Sequence, residues 1–183
     1  MAESIAPAFL IAVPHLLDPN FRQSVILLLQ QDDDGAFGLV VNREAPMFLR
    51  ELCRDQRIDY SGDPGKRVRL GGPVQPEQGF VLYGAEHDQL DGREVAEGVL
   101  VSASTDALSR LCADPGGRFQ CYSGYAGWGP GQLEREIKEG SWIIGPAVPH
   151  LVLDPPGDGL WERCLGDLGI DPNLLVPGGS EEA

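Results

Sequence analysis

The segment Gly124 to Gly131 (GYAGWGPG) carries glycines in the pattern G-x-x-G-x-G-x-G, between an alternating run, Arg118 to Ser123, and a helical run, Gln132 to Lys138. A strand, a glycine-rich loop and a helix in that order could cradle a phosphate, because glycines let backbone amides approach an anion at the positive end of a helix. The details favour a structural role instead. The pattern is neither G-x-G-x-x-G nor G-x-x-x-x-G-K-[ST], and Glu134 and Glu136 occupy the helix dipole that an anion would use. Pro130 at a first helical position, with Gln132 reaching back to an unpaired amide, accounts for the segment without a ligand.

Trp128, between two glycines, can fold back onto the domain or project into a cleft as a ligand platform. Packing is its expected role. An indole exposed beside Asn42, Arg43 or the turn Gly71-Gly72-Pro73 would instead mark a small-molecule site, since such sites set apolar surface beside a few polar anchors. The candidate ligand-binding surface is therefore Asn42, Arg43, Gly71, Gly72, Pro73, Gly127, Trp128, Gly129 and Gly131, with Arg43 as its cation.

No residue is assigned a catalytic role. No G-x-S-x-G elbow is present, and Ser24 leads into an apolar strand. Cys121 has only Arg118 near it in sequence to support a thiolate. His15 and His150 each follow a proline, and His87 sits in the acidic stretch Glu86 to Asp91, so none has a partner at metal-binding spacing. The cysteines Cys53, Cys112, Cys121 and Cys164 form no C-x-x-C pair and are expected as buried free thiols. Asp32-Asp33-Asp34-Gly35 reads as a turn, because a calcium loop alternates ligands with spacers and closes on a distant glutamate. Neither a metal nor a cofactor is expected.

The elements that must position these residues follow from periodicity and turn chemistry. Phe9 to Val13, Ser24 to Gln30 and Phe37 to Asn42 are expected strands, the last two joined as an antiparallel hairpin. Met47 to Cys53 has helical spacing, and Asp55 to Lys66 is a polar loop. Val68 to Leu70, Gly79 to Tyr83 and Val99 to Ser102 read as strands, and Ser104 to Cys112 as a helix with Ser104 at its N-cap. Arg118 to Ser123 and Trp142 to Ile144 are strands, with the helix Gln132 to Lys138 between them, stopped by Gly140. A last helix covers Leu160 to Leu168. The order implies one compact α/β (α+β) domain over residues 1–177, a mixed, largely antiparallel β-sheet flanked by helices, and a disordered acidic tail at 178–183.

At 183 residues, 42% hydrophobic and 23% charged, the chain is long enough to bury a core without a disulfide or metal. The formal charge of −14, with 14 basic residues spread along the chain, argues against direct nucleic-acid binding, which draws on lysines and arginines displacing counterions. The longest basic cluster in sequence is Lys66, Arg67 and Arg69. A basic partner, or none, fits that charge better than DNA. The first basic residue is Arg22, so Ala8 to Val13 lacks the charged front of a secretory signal, and no apolar run reaches the roughly 20 residues of a membrane span. A cytoplasmic location is expected.

Taken in order, Phe9 to Pro14 (FLIAVP), Asp18 to Leu28 (DPNFRQSVILL), Gly35 to Arg43 (GAFGLVVNR), Gly71 to Val74 (GGPV) and Gly124 to Trp142 make the chain similar to the YqgE/AlgH family of bacterial proteins from Phe9 to Trp161. The resemblance implies a compact α/β fold in a cytoplasmic bacterial protein. The AlgH branch is labelled a transcriptional regulator of alginate production, and the charge directs such an effect through a protein partner or small-molecule ligand. The alternative is a binding module, or an enzyme, for a small polar metabolite or nucleotide. The resemblance brings no catalytic residues, and neither reading fixes an oligomeric state.

Overall fold

The computed structural model describes residues 4–156 and 158–173, so the tail expected at 178–183 lies outside the described residues. Buried strand β1 (Ala8–Ala12) leads through the polar connection to β2 (Val25–Asp32), and Asp33-Asp34 turns the chain into β3 (Gly35–Val40). The carboxylate of Asp32 accepts the Asp34 amide at 2.8 Å, which fixes that turn. Three elements follow: β4 (Glu44–Phe48), α1 (Leu49–Asp55) and β5 (Arg67–Leu70). Next come the long β6 (Val74–Gly84), a 3-10 turn at Ala85–His87, and the hairpin β7 (Arg93–Ala96) and β8 (Val99–Ser102). Helix α2 (Thr105–Ala113) starts as expected, Ser104 Oγ accepting the Ala107 amide at 3.0 Å. Strand β9 (Phe119–Trp128), α3 (Gln132–Lys138), β10 (Trp142–Gly145), α4 (Pro149–Leu153) and α5 (Leu160–Asp167) complete the chain.

The strands form one sheet in the order β10-β1-β2-β3-β9-β6-β8-β7, and β5 joins β9 in a parallel pairing, with β4 beside β5. This is the mixed, largely antiparallel sheet that the sequence implies. Alternation sorts its side chains. Phe9, Ile11, Val25, Leu27, Leu82 and Tyr122 face α4 and α5, and the indole of Trp161 in α5 donates to the Ala12 carbonyl at 2.7 Å. The other face carries two clusters: Leu10, Ala12, Ile26 and Leu28 with Leu133 of α3, and Val81, Tyr83, Phe119 and Cys121 with residues of α1 and α2.

Several boundaries differ from the sequence reading. The helix expected from Met47 begins at Leu49, because Met47 and Phe48 finish β4, which pairs with β5. The strand expected to end at Ser123 continues to Trp128. Gly124, at φ +74°, makes that possible. Residues three apart on a regular strand face opposite sides, yet Tyr122 and Tyr125 pack on the same core, so the extra residue at Gly124 acts as a bulge. Pro130 is not the first helical residue; it precedes Gly131, the N-cap of α3. Gln132 does reach back, its Oε1 accepting the Gly129 amide at 3.0 Å. Among the described residues no helix is long and apolar enough to cross a membrane.

Candidate functional site

The expected ligand-binding residues fall into three places. Asn42 and Arg43 border a cleft of about 500 Å³ with Arg22, Gln23, Asp158 and Glu162. Their polar groups are already engaged there. Asn42 Oδ1 accepts the Val25 amide and its Nδ2 donates to the Gln23 carbonyl, both at 2.9 Å. The Arg43 guanidinium donates to the carbonyls of Pro19, Asn20 and Arg22, the last at 2.6 Å. Burial lowers its pKa, and Asp18 opposes that shift. Arg43 thus ties the 19–22 turn to the end of β3.

Gly71 and Gly72 are buried against β9, and Pro73 is exposed. The Gly71 amide donates to the Ser123 carbonyl at 2.9 Å, and its carbonyl accepts from Val40 at 2.8 Å. A Cβ on Gly71 would lie 2.4 Å from the Gly124 oxygen, and one on Gly72 would lie 2.1 Å from the carbonyl carbon of Tyr125. Only glycine fits so close a backbone approach.

Gly127 and Trp128 lie at the end of β9, and Gly129 and Gly131 flank Pro130 in the turn before α3. Trp128 is 7% exposed. Its indole N–H donates to Glu136 Oε1 at 3.0 Å, as does that of Trp142, while Gln132 Nε2 donates to Glu136 Oε2 at 2.8 Å. The two indoles stand edge to face at 6.1 Å. Glu136, expected to occupy the helix dipole, is therefore the acceptor that docks α3 on the sheet.

Gly127 and Trp128 nonetheless border a hollow that the sequence does not announce. Phe37 of β3, Tyr125 of β9 and Phe80 of β6 sit half-buried on three adjacent strands. Their ring centroids are 5.0 Å apart for Phe37 and Tyr125, 5.4 Å for Phe37 and Phe80, and 6.0 Å for Phe80 and Tyr125. Gln75 and Gln78 complete an open hollow of about 690 Å³. Gln75 holds φ +46°, a left-handed conformation that side chains other than glycine and asparagine rarely adopt. On the other side of the same sheet end, Phe80 and Ala103 also border a cavity of about 250 Å³ between α1, α2 and β6, with Cys121 in its lining. A third hollow, shared by Phe37, Phe80, Asp91 and Arg93, adjoins the aromatic group. Ser102 and Ser104 there donate to Asp91 Oδ1 at 2.8 and 3.2 Å.

The thiols near this end are not poised as nucleophiles. Cys53 and Cys112 have their sulfurs 3.3 Å apart, and both are buried, as is Cys121. Burial raises the thiol pKa of Cys53 and Cys112, and pushes Cys121 up to about 12. Lys66, whose own pKa burial lowers, lies 4.0 Å over the Phe119 ring and donates to the Phe119 carbonyl. Cys164 of α5 is likewise pushed up by burial, to about 11.

Comparison with known proteins agrees with this architecture. The AlgH-like family model matches residues 9–173. A UPF0301 protein of Myxococcus xanthus is 44% identical over 180 residues, covering 96% of this chain and 97% of the relative. One from Ruegeria pomeroyi is 41% identical over 170 residues, covering 91% and 92%. The solution structure of the AlgH protein from Pseudomonas aeruginosa superposes with a TM-score of 0.75 at 32% identity, covering 97% of this chain and 96% of that one. A Corynebacterium diphtheriae crystal structure shares the fold at 21% identity, with a TM-score of 0.73 over 100% of this chain and 93% of that one. Sequence and architecture together place the chain in the AlgH-like family.

Proposed function

We propose that this protein is a cytoplasmic binding protein that holds a small molecule with a flat apolar body and hydrogen-bonding edges in the hollow above Phe37, Phe80 and Tyr125. Any effect on transcription passes through that bound state and not through contact with DNA. The observation that carries the reading is the half-buried aromatic group itself: three rings meet within 6.0 Å at an open surface, beside two glutamine side chains that can each donate and accept. The left-handed backbone at Gln75 supports it, because strain of that kind gathers where a side chain must be presented. Binding, not turnover, suits the lining. Among the described residues no histidine borders the three adjoining hollows, and the hydroxyls of Ser102 and Ser104 donate to Asp91.

A thermal-shift screen of nucleotides and aromatic metabolites tests this. A ligand at about 100 times its dissociation constant adds about 2.7 kcal/mol to stability. The expected hit quenches tryptophan fluorescence through Trp128 and loses its effect in Phe80→Ala and Gln78→Ala variants. A library without a stabilising compound, or a hit indifferent to both substitutions, removes the reading.

A further inference from the structure

The structure gathers an arginine surface that the sequence disperses. Arg50 and Arg54 of α1, and Arg57 just beyond its end, are exposed and line one open cleft of about 450 Å³ with Ile58, Asp59 and Tyr60. Arg50 and Arg54, four residues apart, share one side of the helix, and the turn that follows brings Arg57 into the same cleft. On the neighbouring side, Arg67 of β5 lies 4.4 Å and Arg50 lies 5.1 Å from the Phe48 ring centroid, and the Glu51 carboxylate accepts the Phe48 amide at 3.3 Å. Among the described residues, the ion pairs are Arg110 with Asp106 and Arg118 with Asp154, so none of these four guanidinia is paired. Among the described residues Asp59 supplies the carboxylate of the cleft lining, and Glu51 and Asp55 are exposed elsewhere on α1.

A second observation concerns the backbone. Arg57 has φ +59°, with the Ile58 amide donating to the Cys53 carbonyl at 2.7 Å and the Arg57 amide to the Arg54 carbonyl at 3.1 Å. That is the helix-ending turn in which glycine is the usual residue, because a side chain there costs about 1 kcal/mol or more. Arg57 thus holds a conformation that glycine would adopt without a Cβ clash.

We propose that the α1 face is a docking surface for an acidic, extended segment of a partner protein. Charge complementarity selects the occupant. In a chain of net charge −14 four guanidinia without an ion-pair partner offer a negatively charged segment local attraction, and guanidinium forks match carboxylates. Four arginines are too few to hold nucleic acid against the repulsion of the remaining surface. The face shares no residue with the aromatic hollow, so it stands or falls independently of ligand binding there.

The test is a titration of the full chain with a fluorescein-labelled decapeptide alternating glutamate and glycine, followed by anisotropy at low salt. Saturable binding is expected, weakening as salt rises and falling about tenfold in R50E/R54E/R57E. The control R135E/R163E, exposed on α3 and α5, stays within about twofold. Arg57→Gly is the decisive single change: it is expected to raise the unfolding midpoint while weakening the peptide about twofold or more. Unchanged binding by the triple variant overturns the proposal, as does equal binding of a lysine-glycine peptide. If inorganic triphosphate binds these arginines more tightly than the peptide does, the occupant is a phosphate group and the proposal is wrong.

Discussion

Replacing Glu136 by alanine should loosen α3 from the sheet, by an amount that can be worked out beforehand. Its carboxylate accepts from Trp128 and Trp142 at 3.0 Å and from Gln132 at 2.8 Å. Gln132 is half-exposed and can turn to water, so its bond contributes little to the difference. The two indoles are 7% and 5% exposed, and their N–H groups lose their acceptor. Hydrogen bonds to a charged group contribute about 1.5–3 kcal/mol each, and water entering beside half-exposed Glu136 favours the lower end, which gives about 3 kcal/mol in total. For a chain of this size that corresponds to about 6–12 °C in the unfolding midpoint. Glu136→Gln keeps one oxygen for both indoles but turns a donor toward Gln132, so about half the loss is expected. Urea unfolding followed by tryptophan fluorescence and by circular dichroism measures both variants. A Glu136→Ala protein within about 0.5 kcal/mol of the parent would refute the idea that this carboxylate docks the helix.

Other consequences are equally direct. Gly72→Ala drives a Cβ to 2.1 Å from the Tyr125 backbone and should cost more than about 3 kcal/mol, read as loss of folded protein on expression; a well-folded variant would show that β9 can move aside. Arg43→Ala releases three carbonyls of the 19–22 turn and should cost about 2–3 kcal/mol in urea unfolding, with lysine restoring little, because one ammonium cannot cover the fork. Alkaline titration should destabilise the fold. The thiols of Cys164 and Cys121 rise from an ordinary 9.0 to about 11 and about 12 on folding, so the folded state holds protons that the unfolded state releases. Their contribution is whole below pH 9 and is lost as pH climbs toward 11 and 12; Cys121→Ala should flatten that fall, and an unchanged slope would count against it. Mass spectrometry after iodoacetamide treatment at pH 8 should find Cys53, Cys112 and Cys121 unmodified until denaturant is added.

Much of the sheet was legible because its central residues are apolar, β-branched or aromatic, and bounded by turn chemistry. β1, the β2–β3 hairpin and the Ser104 cap belong to this group. Strands β4 and β7 were not legible: Glu44-Ala45-Pro46 and Arg93-Glu94 carry a proline or charges at positions that face water, so alternation gives no signal. Strand β9 was cut short because Gly124, Gly127 and Gly129 look like a loop, whereas the first is a bulge and the second a strand residue. At the candidate site the failure has another cause. The partners of Arg43 are backbone carbonyls, which leave no mark in composition, and Phe37, Phe80 and Tyr125 meet only through pairing of distant strands. The arginine face was open to reading. Arg50, Arg54 and Arg57 recur at steps of four and three residues, a weaker mark than the contiguous basic run Lys66, Arg67 and Arg69.

Strand β9 has a consequence for how the chain is made. It lies between β3 and β6, so Ala36 meets Trp128 and Val81 meets Cys121. During synthesis β1-β2-β3 and β6-β8-β7 can each pair before β9 has left the ribosome, and each then presents an open ladder edge. The nascent chain passes through a stage of two half-sheets awaiting one strand, with pairings so distant in sequence that closure is slow. Chains that stop short of residue 119 keep both edges open, and self-association is their expected fate.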